Sequence, residues 1–235
     1  MHDYLLFLDT ETSGIPISLN APINDLDNWP FVLQLAWVIY SSNGELIKKE
    51  NHFVWEEEIF INESSTKVHG ITHDELQEKG EDRKSVMRLL ASDLRKYKPL
   101  IIGHFVEFDS KMVQVAFYRS GLKNLISQQQ HFCTMLASKK YALAANSTYP
   151  KLEELYHRLF HEVMRDKHNA MHDAEATARC FFQLKEKGDI TEQLINSQKL
   201  FTNTSNKKST KFGCGIPVLI FILIGLISIW LWVKD

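Results

Sequence analysis

Residues 5–14 read LLFLDTETSG. An apolar run from Tyr4 to Leu8 ends in Asp9, and Glu11 follows two residues on. Alternate side chains of a strand point the same way, so both carboxylates project from one face. Two anions held that close disfavour each other's charge unless a cation sits between them. Taken alone, Asp-x-Glu says little. About three or four acid-x-acid triplets arise by chance in a chain with 29 acids in 235 residues. Its meaning depends on what the rest of the chain brings to the same end of the strand.

Outward from this strand, residues 12–30 carry three prolines, a glycine and several Asn and Asp, the composition of a long loop. Residues 31–41 (FVLQLAWVIYS) and 45–54 read as two strands joined by a turn at Ser42-Asn43-Gly44, a β-hairpin. VHGITHDEL (68–76) reads as a loop entering a short helix, with Thr72 as N-cap and Glu75 at capping-box spacing. Helical periodicity covers 83–97, where Val86, Leu89, Leu90, Leu94 and Tyr97 share a face, and Pro99 ends it. A short buried strand at 100–104 leads to a helix at 109–120. A last strand is expected at 130–135, then helices at 151–160 and 172–187. Three strands followed by alternating helices and strands give an α/β domain with a mixed sheet of five strands, antiparallel at first and helix-covered later.

Two further stretches place acids at element ends. In GHFVEFDSKM (103–112) the strand leaves through Gly103 and His104, and Asp109 opens the next helix. In HNAMHDAEATARC (168–180) His168 lies in a loop and Asp173 opens a helix whose Ala174, Ala176 and Ala178 permit close packing. Each has a plain reading by itself, a carboxylate capping a helix. Together, Asp9, Glu11, Asp109 and Asp173 are four carboxylates on three elements, the hard-oxygen donor set that Mg²⁺ or Mn²⁺ takes.

LDTET (8–12), HFVEFD (104–109) and HNAMHD (168–173), in this order, resemble the three exonuclease motifs of the DEDD superfamily in its histidine-containing, DnaQ-like branch. VHGIT (68–72), FCTM (132–135) and LEELY (152–156) add to the resemblance, which runs over most of 4–187. It implies a ribonuclease-H-like fold and a 3′→5′ exonuclease releasing nucleoside 5′-monophosphates. By the same resemblance Asp9, Glu11, Asp109 and Asp173 hold two divalent ions, Mg²⁺ or Mn²⁺, and His168 is the general base. Thr10 and Thr12 lie where the terminal nucleotide is gripped, through backbone more than side chain, with His69 and Phe108 as weaker substrate-binding candidates, Phe108 reading first as a core residue. The implied partner is a nucleic acid with a free 3′ end. Single-stranded DNA is the expected substrate, RNA the alternative. An inert nucleic-acid-binding adaptor is disfavoured because all five catalytic residues are present. In one place the chain departs from the pattern: many relatives have Asn where Phe105 follows His104. Glu107 lies outside the matched pattern and is expected to face solvent.

Composition adds bounds. With 27 basic and 29 acidic residues, net charge neither announces nor excludes a nucleic-acid partner. Cys133, Cys180 and Cys214 are odd in number and widely spaced, which predicts reduced thiols rather than a disulfide framework or a zinc site. Met1-His2-Asp3 lacks the basic start of a signal peptide. No charge falls between Lys211 and Lys234, and IPVLIFILIGLISIWLWV (216–233) is long enough to cross a bilayer. The expected organisation is an exonuclease domain over 1–187, a basic linker over 188–211 and a transmembrane helix over 212–233. Lys199, Lys207, Lys208 and Lys211 before the span predict a tail anchor with the catalytic domain cytoplasmic, in a bacterial inner membrane or the endoplasmic reticulum. Oligomeric state is undetermined by the sequence.

Overall fold

The strand that opens the chain becomes the pivot of the sheet. In a computed structural model, which describes residues 2–57, 59–142 and 148–200, it runs beyond the expected 4–9 as β1 (Tyr4–Thr12). It is followed by β2 (Val32–Ser41), β3 (Leu46–Trp55), α1 (Glu63–His69), α2 (His73–Lys79), β4 (Glu81–Asp82), α3 (Arg83–Tyr97), β5 (Leu100–Gly103) and α4 (Val106–Arg119). The order closes with β6 (His131–Cys133), α5 (Thr134–Ala137), α6 (Leu152–Phe160), α7 (Ala170–Glu186) and α8 (Glu192–Ser197). The sheet order is β4-β3-β2-β1-β5-β6. β2 is antiparallel to both its neighbours, β1 and β3, while β5 runs parallel to β1 and β6 parallel to β5.

Six strands stand where five were expected. The addition, β4, is a two-residue strand paired to β3 through Val54–Glu81 and Trp55–Asp82. A pairing that short leaves no period in the sequence. Other differences are local. The expected strand at 130–135 turns into α5 after Cys133, and α1 lies where a loop was expected, capped by the Asn62 side chain on the Ser64 N–H. The Thr72 cap holds as expected, its hydroxyl accepting the Glu75 N–H at 3.2 Å.

Strand alternation sorts β1 between two cores. Leu6 and Leu8 join Leu35, Trp37 and Ile39 of β2 beneath α3 and α4. Leu5 and Phe7 face the other way, against Phe132, Phe181 and Leu184, under α6, α7 and α8. Asp9 and Glu11 continue the second series. The end of β1 therefore delivers its acids to the face covered by α7. Ala170, Ala174, Ala176 and Ala178 are all buried in α7 and bring that helix close to the strands.

Residues 188–200, expected as linker, continue the domain. Ile190 and Ile195 are buried in the second core. The Gln130 side chain donates to the Ile195 carbonyl at 2.9 Å, and Gln198 exchanges hydrogen bonds with the backbone of Cys133. Residues 188–211 read as polar and lysine-rich, and two isoleucines within them give too weak a pattern to mark a docked helix. The expected transmembrane helix at 212–233 lies outside the described residues. Among the described residues no helix is long and apolar enough to cross a membrane.

Candidate active site

The site begins where β1 outlasts its neighbour. β1 pairs with β5 only from Leu5 to Phe7, and β5 ends at Gly103. A Cβ at Gly103 would lie 3.1 Å from Val106, a tight contact that a glycine avoids where the strand turns into α4. The turn passes through Phe105 in the left-handed region, φ 79°, and returns Asp109 to the edge that β5 has left. There Asp109 Oδ1 accepts the Thr10 N–H at 3.1 Å and the Thr10 hydroxyl at 2.7 Å. The register with β2 shifts between Glu11 and Thr12, which pair with Gln34 and Val32 and leave Leu33 of β2 as the extra residue.

α7 supplies the opposite wall. Asn169 caps it, accepting the Met171 and His172 N–H groups at 3.2 and 3.4 Å. One turn in, Asp173 Oδ2 accepts the His168 N–H at 3.2 Å. Asp173 Oδ1 is buried and has no hydrogen-bond partner. Ligand atoms of Glu11, His168 and Asp173 all lie within 4.8 Å of one another. Asp9 and Asp109 lie near enough to interact electrostatically with the cluster, Asp9 with Glu11 and Asp173 and Asp109 with Glu11.

Electrostatics show what the cluster lacks. Burial, then Asp109, Asp173 and Glu11, push the Asp9 carboxyl well above its ordinary range. Burial with Asp173 and Asp109 raises Glu11 to about 8. Burial raises Asp109 to about 7 against the two Thr10 hydrogen bonds, and Asp173 to about 6 against the His168 N–H. Like charges in a poorly solvated cleft disfavour ionisation, and a divalent cation reverses that balance. The unpartnered Asp173 oxygen and the oxygen-rich donor set both fit such an ion.

His168 sits in the left-handed region, φ 62°. Burial and then Lys167 hold its pKa below that of free imidazole, with Glu153 opposing. The expectation placed its ring beyond the ligand set. In the structure its ring nitrogen lies at the same close range as the two carboxylates.

The expected substrate-binding residues divide. Thr10 is buried and its hydroxyl is committed to Asp109. The Thr12 hydroxyl donates to the Gly14 carbonyl at 2.7 Å. His69 Nδ1 accepts the Ile71 N–H at 3.0 Å, so its proton is on Nε2, which donates to the Thr12 carbonyl at 3.2 Å. All three side chains are hydrogen-bonded to atoms of the protein itself. Phe108 is half-buried and stacks on Phe105, centroids 6.4 Å apart and planes at 17°. This pair flanks Asp109. Glu107, expected in solvent, is buried at 5% exposure, because α4 turns its first residues inward. His104 is held between the Thr134 hydroxyl and the Pro150 carbonyl, 3.0 Å each, and burial lowers its pKa to about 4. Sequence reading passed over Asn169, although an Asn before an alanine-rich helix is a cap signal, and over Gln34.

The exonuclease family model named for RNase T matches residues 6–181. The chain belongs to this family. No curated protein matches it. Among solved structures, E. coli exonuclease I in complex with a dT13 oligonucleotide is similar at 19% identity and a TM-score of 0.64, over 78% of this chain and 41% of that one. The zinc-bound form of the E. coli exonuclease I–single-stranded DNA complex is 20% identical, with a TM-score of 0.64 over 80% and 41%. A product-bound exonuclease I is 18% identical, with a TM-score of 0.63 over 83% and 46%. The chain thus spans less than half the length of the solved chains it matches. At these identities the likeness shows the exonuclease fold.

Proposed function

We propose that this family member is a metal-dependent 3′→5′ exonuclease that releases nucleoside 5′-monophosphates from single-stranded DNA. The observation that carries the reading is the buried, unpartnered Oδ1 of Asp173 in a group of four carboxylates whose pKa values burial and neighbouring charge raise. Asp9, Glu11, Asp109 and Asp173 would hold two divalent ions. When bound, such ions supply Lewis acidity at phosphorus and an acidified water.

The chain's own residues do the rest. His168, neutral at pH 7 because its pKa is lowered, accepts a proton at a ring nitrogen. Asp173 takes the His168 N–H and so fixes the loop that carries the imidazole. Thr10 fixes Asp109 through two donors to one oxygen, which leaves Oδ2 free of that contact. The Phe105–Phe108 pair offers half-buried aromatic surface beside Asp109, where a base can stack.

DNA is favoured because the similar solved structures include oligonucleotide complexes of dT13 and dA16. DNA and RNA of equal sequence, labelled at the 5′ end and incubated with the chain and Mg²⁺, test the choice. Faster shortening of DNA supports it, and faster shortening of RNA reverses it. The apolar stretch 216–233 and the lysines before it support a further reading, a tail anchor that leaves the catalytic domain on the cytoplasmic side.

A further inference from the structure

Gln34 interrupts one of the most apolar stretches of the chain, FVLQLAWVIY (31–40). It is 1% exposed, at the centre of the sheet. A buried amide is costly unless both its ends are bonded, and here both are. Its Nε2 donates to Asn51 Oδ1 on β3 at 2.9 Å, and its Oε1 accepts the Ala170 N–H at 3.1 Å. Those two partners explain why the residue is tolerated. They also show what it joins.

Gln34 is the register partner of Glu11, so the two side chains stand side by side on the α7 face of the sheet. Ala170 is the first residue of α7. The first N–H groups of a helix have no partner within it. Asn169 takes those of Met171 and His172, and the Ala170 N–H is left for Gln34. The start of α7 is thereby fastened to the strand pair beside Glu11. His168 lies two residues before that attachment and Asp173 three after it. Their ligand atoms meet those of Glu11 within 4.8 Å.

We propose that Gln34 is a positioning residue for the carboxylate cluster: through Ala170 it sets the distance between Glu11 on the sheet and the His168–Asp173 pair at the start of α7. Asn51 is the outer anchor of the same tie. The inference rests on the metal-dependent reading above. An ion held between sheet and helix needs its donors fixed to within a fraction of an ångström, and residues behind the donors do the fixing.

The test is Mn²⁺ binding to the full chain, measured by calorimetry, with nuclease activity read in parallel. Gln34→Leu keeps the volume and removes both bonds. It is expected to weaken Mn²⁺ binding by about tenfold or more while the KM for oligonucleotide is unchanged. Asn51→Ala, at an exposed position, is expected to weaken it by about threefold and decides the matter if Gln34→Leu does not fold. Ile195→Ala loosens the fold from α8, far along the chain from the tie, and is expected to leave Mn²⁺ affinity unchanged. Unchanged affinity in Gln34→Leu, or in Asn51→Ala where that variant decides, overturns the proposal. An equal loss in Ile195→Ala also overturns it, since the effect would then be general destabilisation. Wild-type chain that binds Mn²⁺ without degrading nucleic acid overturns the functional reading and leaves the positioning result standing. Wild-type chain that binds no Mn²⁺ overturns both.

Discussion

Asp109 Oδ1 accepts both the backbone N–H and the hydroxyl of Thr10, at 3.1 and 2.7 Å. The two residues are 99 apart in sequence, and their contact closes the edge that β1 exposes once β5 has ended. Replacement of Thr10 by Val keeps the shape and the N–H and removes one of two donors to a carboxylate. A loss of about 1–3 kcal/mol in stability is expected, with a several-fold fall in nuclease rate as Asp109 gains freedom. Urea denaturation and initial rates check it.

Removal of a charge from the cluster separates stability from function. Asp173→Asn is expected to abolish metal-dependent cleavage. Its thermal midpoint in EDTA is expected to stay level or rise, by about 2–4 °C for each kcal/mol of relieved repulsion. His168→Ala is expected to slow cleavage by about 10²–10⁴-fold while Mn²⁺ binding persists. Full activity in His168→Ala would remove it from the role of base.

The raised carboxyl pKa values set a pH dependence with a definite sign. Glu11 at about 8 and Asp109 at about 7 lie above their ordinary values, so the folded metal-free chain binds more protons there than the unfolded one. Their contribution is fully present below the unfolded pKa and is lost as pH rises through 7 to 8. The thermal midpoint in EDTA should therefore fall between pH 6 and pH 9, and saturating Mg²⁺ should flatten the fall. His104 and His131, each lowered to about 4 by burial, act in the opposite sense. Their contribution is lost as pH falls from about 6.5 towards 4, for the most part below the tested window.

Docking of α8 extends the domain beyond residue 187. Ile195→Ala is expected to cost about 2–4 kcal/mol, readable in a denaturant midpoint. A chain ending at 187 should be less stable still. Equal stability of that chain and the full one would show that the helix adds nothing.

Much of this was legible in the sequence because it was local. The apolar run ending in Asp9 and Glu11, the helical period over 83–97 and the Ala-rich start of α7 each declare themselves within a dozen residues. What stayed hidden depends on distant partners. The hold of the Thr10 hydroxyl on Asp109, 99 residues away, leaves no trace in the sequence near either residue. Glu107 was expected in solvent because it lies outside the matched motif, whereas it is buried in the first turn of α4. Gln34 left one trace, an amide in an otherwise apolar strand, and its meaning appears only with Ala170 at 136 residues' separation.

The direction of cleavage and its need for metal are read in one assay. One single-stranded DNA labelled at the 5′ end, and the same strand labelled at the 3′ end, are incubated with the full chain in Mg²⁺ and in EDTA. In Mg²⁺ alone, the first strand is expected to give a ladder that shortens from the 3′ end, and the second to release labelled mononucleotide at once. Asp173→Asn is expected to give neither. Cleavage that persists in EDTA, release from the 5′ end, or no cleavage of either strand with Mg²⁺ bound would contradict the proposed function.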